Sequence, residues 1–251
     1  NNNLHLVSYS TAFNKTLTFK ELKNHLYTLP KQPNAIPYVT SYYKKNWGFC
    51  LKHSERKKLK KGIYKVFINS KFEPGKMHYG EIFIKGKLKK EIFFSTYICH
   101  PSMANDNLSS IALQIYLINY LNRNYKKTNF SYRFVFLPET IGSISYLSKK
   151  FKILKKNMMM GFAISCVGDD KQYSIIKSRD EKAPSINALR SSTNGKKNVI
   201  EYSFLDRGSD ERQYCYPGID LPVSGFCRSR FHTFKEYHTD KDNLSYISAK
   251  G

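Results

Sequence analysis

The chain has 251 residues, with 42 Lys and Arg against 19 Asp and Glu and a formal net charge of +23. Its 41% apolar and 15% aromatic composition supports a substantial core without metal or disulfide staples, which excludes a disordered polymer. No apolar run approaches the roughly 18 residues of a membrane helix, and the opening Asn1-Asn2-Asn3 is no secretory signal, so membrane insertion is not expected.

Residues 4–10 alternate loosely and read as a strand. Thr18 to Leu26 reads as a short helix, with Thr18 as N-cap and Glu21 completing a capping box. Pro30, Pro33 and Pro37 keep the next segment extended, and Tyr42, Tyr43 and Trp47 mark an aromatic core or packing surface. A short helix over 54–60 precedes strands at 63–68 and 78–85. From Glu91 the pattern changes. The nearly continuous apolar run 92–98 is the mark of a strand buried on both faces. A helix over 108–121, a strand over 132–137, a helix from Ser143, a strand over 160–167 and a strand over 221–226 follow, with a poorly patterned stretch before the last. The expected fold class is α/β: a mixed, mostly parallel central sheet with helices on both faces, plus a small β-rich unit. The expected boundaries are 1–85 for the small unit and 86–251 for the α/β domain. An opening without methionine and an end at Gly251 read as a fragment of a longer protein.

Five cysteines, an odd number at wide spacings with no C-x-x-C pair, point to a reducing, cytoplasmic setting. The charge raises nucleic acid as a partner. Lys outnumbers Arg 33 to 9, however, which fits solvated surface lysines better than the guanidinium forks that read phosphates and bases. The expectation is therefore no specific nucleic-acid partner, with a secondary attraction for an anionic substrate.

Polar clusters stand where a parallel sheet keeps its ligand sites, just after buried strands. They are Cys99 to Leu108, Pro138 to Ser143 and Ser165 to Asp170; Asp206 to Glu211 and Glu236 to Asn243 come later. A His after one strand, an Asp opening a helix, a Glu after the next strand and a distant His form a zinc-site inventory. A neighbouring carboxylate can take the proton of a metal-bound water. Asp106 also suits a helix N-cap, and Cys166 also suits a small buried hydrophobe.

Met103-Ala-Asn-Asp-Asn-Leu-Ser109 resembles the G-A-x-D-N-x-S-G segment of co-catalytic zinc aminopeptidases, and Tyr237-His238-Thr239 with Asp242 resembles their late Tyr-His-Thr-x-x-Asp element. With Pro138 to Ser143 and Arg207 to Tyr214, the order more specifically resembles the bacterial aminopeptidase-like domain family, often found in surface-polysaccharide gene clusters and carrying an inserted small β domain. The resemblance implies one or two zinc ions. His100 and His238 stand where that family has ligands, Asp106 stands for its bridging carboxylate, and Glu139 for a ligand or the general base. It also shows departures. A proline precedes Glu139 where the family has a second glutamate, Pro101-Ser102 follows His100 where the family has His-x-Asp, and Ser165-Cys166 replaces a carboxylate ligand. Cys166 then becomes an accessory candidate, with Asp169 or Asp170 reaching back; Asp210 and Glu211 are further accessories, read rather as loop-shaping partners of Arg207 and Arg212.

The implied activity is a zinc-dependent hydrolase acting on a peptide or an amide-bearing small molecule, with a link to surface-polysaccharide biosynthesis. A peptidase-like module that binds without hydrolysis and a nucleic-acid-binding protein are the rival readings. A homo-oligomer stays open.

Overall fold

The computed structural model describes residues 3–250, and its contacts divide them into two compact units. The smaller comprises the chain up to Lys76 with Pro101–Met103 and Glu236–Asn243; the larger comprises Met77–His100, Ala104–Lys235 and the chain from Leu244 on.

In the smaller unit, β1 (Phe13–Thr18) pairs antiparallel with β4 (Ile63–Ile68), and β2 (Leu26–Tyr27) pairs parallel with β3 (Phe49–Cys50). Helix α1 (Phe19–Leu22) starts on the expected capping box: the Thr18 N–H donates to Glu21 Oε2 at 2.8 Å, and the Glu21 N–H returns to Thr18 Oγ1 at 3.4 Å. Helix α2 is the single turn His53–Arg56. Trp47 lies in the core with Leu22, Leu26, Val66 and Ile68, stacked on His25 at 3.7 Å. Tyr42 and Tyr43 are exposed instead, so only the tryptophan of that aromatic group is core. The strand expected over 4–10 is absent. A 3-10 turn occupies Asn3–His5, isolated bridges follow at Leu6 and Ser8, and Tyr9 at φ 65° turns the chain before a ladder can extend. Leu4 and Val7 are buried with Ile36, Cys50 and Met103, so the residues 101–103 are anchored in this unit.

The larger unit is built on a seven-stranded sheet in the order β10-β9-β11-β8-β6-β7-β5. Its strands are β5 (Gly80–Ile84), β6 (Glu91–Tyr97), β7 (Ser131–Leu137), β8 (Met158–Ile164), β9 (Tyr173–Ile176), β10 (Val199–Tyr202) and β11 (Val223–Cys227). The central run β7-β6-β8-β11 is parallel, while β5 on β7 and β11 on β9 are antiparallel. The strand expected at the end of the small unit, 78–85, is thus the edge strand β5 of this sheet. The poorly patterned stretch holds β9, β10 and helix α5 (Pro184–Thr193).

Alternation along β6 sends Phe93 to one face and Ile92 and Phe94 to the other. Phe93 packs with Tyr146, Leu147 and Leu154 of α4 (Ile141–Asn157) and Tyr214 of α6 (Glu211–Tyr214); the opposite face packs with Leu113 of α3 (Ser109–Asn124) and Ala188 and Leu189 of α5. Helices therefore cover both faces, as the apolar run of β6 requires. At the N-terminal end of the strands, buried Arg133 pairs with buried Glu91 through two bonds of 2.7 and 3.0 Å and with Glu81 of the edge strand. Among the described residues no helix is long and apolar enough to cross a membrane.

Candidate metal centre

The site stands at the carboxyl ends of β6, β7 and β8, where parallel strands leave a crevice. His100 follows β6 in its loop, and Asp106 lies in the irregular turn Ala104–Leu108 ahead of α3. Asp106 does not cap that helix: the residue preceding it is Leu108, and Asp106 and Asn107 have non-helical φ/ψ with a cis peptide between them. The Asp106 side chain is fully buried, that of His100 is 7% exposed, and Asp106 Oδ2 stands 4.0 Å from His100 Nε2.

Two asparagines hold the turn. Asn107 Nδ2 donates to Thr96 Oγ1 at 2.6 Å and to the Tyr97 carbonyl at 3.1 Å. Its Oδ1 accepts from Ser110 Oγ at 2.5 Å and from the Cys166 N–H at 3.1 Å. Asn105 Oδ1 accepts from the Gly168 N–H at 2.7 Å, and its Nδ2 donates to Asp169 Oδ2 at 3.3 Å. Asp106 thus sits between two side chains tied to the ends of β6 and β8.

Tyr97, the last residue of β6, donates its hydroxyl to Asp106 Oδ1 at 2.5 Å, and its ring lies 4.8 Å from the His100 ring. Burial, then the Asp106 charge, raises its phenol well above the ordinary value, which keeps the proton in place.

Glu139 follows β7 and Pro138, with its N–H donating to Cys99 Sγ at 3.3 Å. Burial of its carboxyl, then the nearby Asp210, push its pKa up to about 8, against a hydrogen bond from Ser209 that lowers it. Asp210 and Glu211 serve as loop-shaping acids through backbone and hydroxyl donors. Asp210 Oδ1 accepts from the Thr140 N–H and Ser143 Oγ, both at 2.8 Å, and Glu211 Oε1 accepts from the N–H groups of Gly208 and Ser209 at 2.9 and 3.0 Å. Burial raises Asp210 to about 6 despite the Thr140 and Ser143 bonds.

Cys166 is fully buried at φ 51°, with its thiol 4.0 Å from the Tyr97 hydroxyl. Asp169 does not reach back to Asp106. Its carboxylate takes Ser229 Oγ at 2.8 Å and the N–H groups of Ser229 and Lys171 at 3.0 and 3.1 Å, and Asp170 is exposed.

His238 belongs to the smaller unit, in a turn fixed there by its own ladder. Its carbonyl accepts from the Tyr38 N–H at 2.7 Å, the Asp240 N–H donates to the Ile36 carbonyl at 3.0 Å, and Asp240 Oδ1 accepts from the Ile36 N–H at 2.8 Å. At φ 54° its ring stacks on Tyr237 at 3.9 Å and meets the Tyr38 ring edge-on at 5.2 Å.

The His100–Asp106 pair fits a zinc ion. Two ligand atoms at about 2.0–2.1 Å from one ion lie roughly 3.4 Å apart in a tetrahedral sphere and at most about 4.2 Å apart. That outer limit is a linear arrangement; the observed 4.0 Å is about 0.6 Å wider than the tetrahedral spacing, a gap that a small side-chain rotation closes, and the donors are an imidazole nitrogen and a carboxylate oxygen. Sequence reasoning missed Tyr97, Asn105 and Asn107. The signal for the asparagines was their placement on either side of the acid.

A family model described as a domain of unknown function, DUF4910, matches residues 1–251. The chain is 45% identical over 252 residues to a Clostridium acetobutylicum protein provisionally named a polysaccharide biosynthesis protein with an aminopeptidase-like domain. That alignment covers 100% of this chain and 57% of the relative, so the chain spans little more than half of that protein's length. A crystal structure from Clostridium acetobutylicum, provisionally described as a peptidase, matches at TM-score 0.92 and 43% identity over 98% of this chain and 58% of that one. A zinc aminopeptidase from Bacillus subtilis shares the fold at TM-score 0.60 and 16% identity, covering 89% of this chain and 58% of its own. On a match that runs its whole length, the chain belongs to the DUF4910 domain family, on an aminopeptidase-like fold.

Proposed function

We propose that this chain is the catalytic part of a zinc-dependent, aminopeptidase-type hydrolase, with His100, Asp106 and His238 as ligands and Glu139 as general base. The observation that carries the reading is the buried His100–Asp106 pair at ligand spacing. His238 joins the set on its Tyr-His-Thr context, with its ring packed against those of Tyr237 and Tyr38. Zinc, when bound, supplies Lewis acidity and lowers the pKa of a coordinated water to about 7.

The chain's own residues do the rest. Tyr97, Asn105 and Asn107 fix the direction of the Asp106 carboxylate, and Tyr97 packs against the His100 ring. Glu139 accepts the proton of the attacking water on its carboxylate and returns it to the leaving amine. Burial, then the nearby Asp210, raise that carboxyl above the ordinary carboxylate range in the metal-free protein. The substrate is a peptide or an amide-bearing small molecule. The name of the Clostridium acetobutylicum relative supports a link to polysaccharide biosynthesis. A cytoplasmic setting belongs to the same reading, which the lack of a disulfide among the five cysteines supports.

The test is metal analysis of protein purified without chelator, alongside turnover of an aminoacyl and N-acyl amide panel. Stoichiometric zinc, lost in Asp106→Asn and His238→Ala, with turnover lost in Glu139→Gln, is the expected result. No transition metal even after zinc soaking overturns the reading. Zinc without turnover of any amide reassigns the chain as a binding module.

A further inference from the structure

We propose that the centre takes one metal ion, not two, and that Tyr97 sets the number. The inference rests on the reading that His100 and Asp106 hold zinc. A carboxylate that bridges two ions gives one oxygen to each. The two oxygens of Asp106 are already divided between different partners. Oδ2 faces His100 Nε2 at 4.0 Å, a ligand spacing, while Oδ1 accepts the Tyr97 hydroxyl at 2.5 Å. An O–H aimed at Oδ1 places partial positive charge where a second cation has to approach, so the two compete for the same oxygen.

Tyr97 cannot step aside at low cost. It is 4% exposed and closes β6, a central strand, where it pairs with Leu137 of β7. The donors on its side are also poor for a second ion. Cys166 offers a buried thiol 4.0 Å from the phenol oxygen, and Pro138 offers no side-chain donor before Glu139. Zinc requires three or four protein ligands; with Glu139 kept as general base, one thiol and half a carboxylate fall short. Tyr97 is therefore a positioning residue: it orients Asp106 toward one ion and closes the other oxygen.

Native mass spectrometry with zinc in excess, followed by dialysis, counts the ions. Wild-type protein is expected to retain one per chain. Tyr97→Phe keeps the ring, removes the O–H, and is expected to take a second, weaker ion that dialysis strips. Cobalt gives an independent readout. In wild type its absorption saturates at one equivalent with no thiolate-to-cobalt charge-transfer band. In Tyr97→Phe the second equivalent brings that band in, and Cys166→Ser in the same background removes it. Two retained ions in wild type, or a single ion in Tyr97→Phe, overturns the inference while leaving the zinc reading intact. No ion in wild type overturns the zinc reading and this inference with it. Where Tyr97→Phe fails to fold, the wild-type count and a charge-transfer band in wild type decide the matter alone.

Discussion

Asn107 gives the sharpest stability and affinity prediction. Its amide is 2% exposed and makes four bonds: out to Thr96 Oγ1 and the Tyr97 carbonyl, and in from Ser110 Oγ and the Cys166 N–H. Its orientation is unambiguous, because a carbonyl lies on one side and an N–H on the other. Each neutral buried bond contributes about 0.5–1.5 kcal/mol net, and stranded partners cost more, so Asn107→Ala is expected to destabilise the fold by about 3 kcal/mol. The same truncation loosens the turn that aims Asp106, which predicts a 10- to 100-fold loss of zinc affinity, a typical cost of removing an outer partner of a metal ligand. Asn107→Asp preserves shape and is expected to be no better. The Thr96 hydroxyl proton is already spent on the Ile164 carbonyl at 2.9 Å, so the new oxygen faces two acceptors beside the Asp106 charge. Urea unfolding of the chelator-treated protein and zinc competition against a chromophoric chelator measure the two effects. An alanine variant within about 1 kcal/mol of wild type, with unchanged zinc affinity, refutes the clamp.

Glu139→Gln is expected to lower kcat by about 10²–10⁴-fold while zinc content stays constant, since it removes proton transfer and keeps size. In metal-free protein the raised Glu139 carboxyl has a signed consequence for pH. Its contribution to stability is fully present below the ordinary value of 4.5 and is lost as pH rises through about 8, so chelator-treated wild type should melt progressively lower across that window and Glu139→Gln should flatten the slope. Arg133→Met leaves buried Glu91 without its cation and is expected to cost about 3–5 kcal/mol in urea unfolding, a loss that Arg133→Lys does not restore because one ammonium cannot replace the fork. Gly86→Ala places a methyl 2.2 Å from the Phe130 carbonyl oxygen, so the β5–β6 connection must move, and a lower Tm by thermal melt is the expected result.

The central sheet was legible because β6, β7 and β8 are buried on both faces and read as apolar runs. Short strands β9 and β10, four residues each, carry too little periodicity to stand out, and the buried stripe of α3 includes Ser110 and Gln114, polar by type. The helix therefore looked apolar at Leu108 and Ile115, which are exposed. At the site, the acids and histidines were conspicuous in a lysine-rich chain. Tyr97 was not, because a tyrosine ending an apolar run looks like core until the strand's register sets its hydroxyl beside Asp106. Asp169 had the right residue type, but whether an acid coordinates or ties loops together depends on which donors surround it, and those come from residues some sixty positions away, such as Ser229 and Asn105.

That tie has a mechanical consequence. One carboxylate, Asp169, holds both the chain leaving β11 at Ser229 and, through Asn105, the turn that carries Asp106. The two segments share an anchor, so neither can open without loading the other. Amide exchange at Ser229 and at Gly168 should then slow together when the metal site is filled. A substrate pressing on the loop after β11 would, by the same linkage, be felt at the metal turn without touching it.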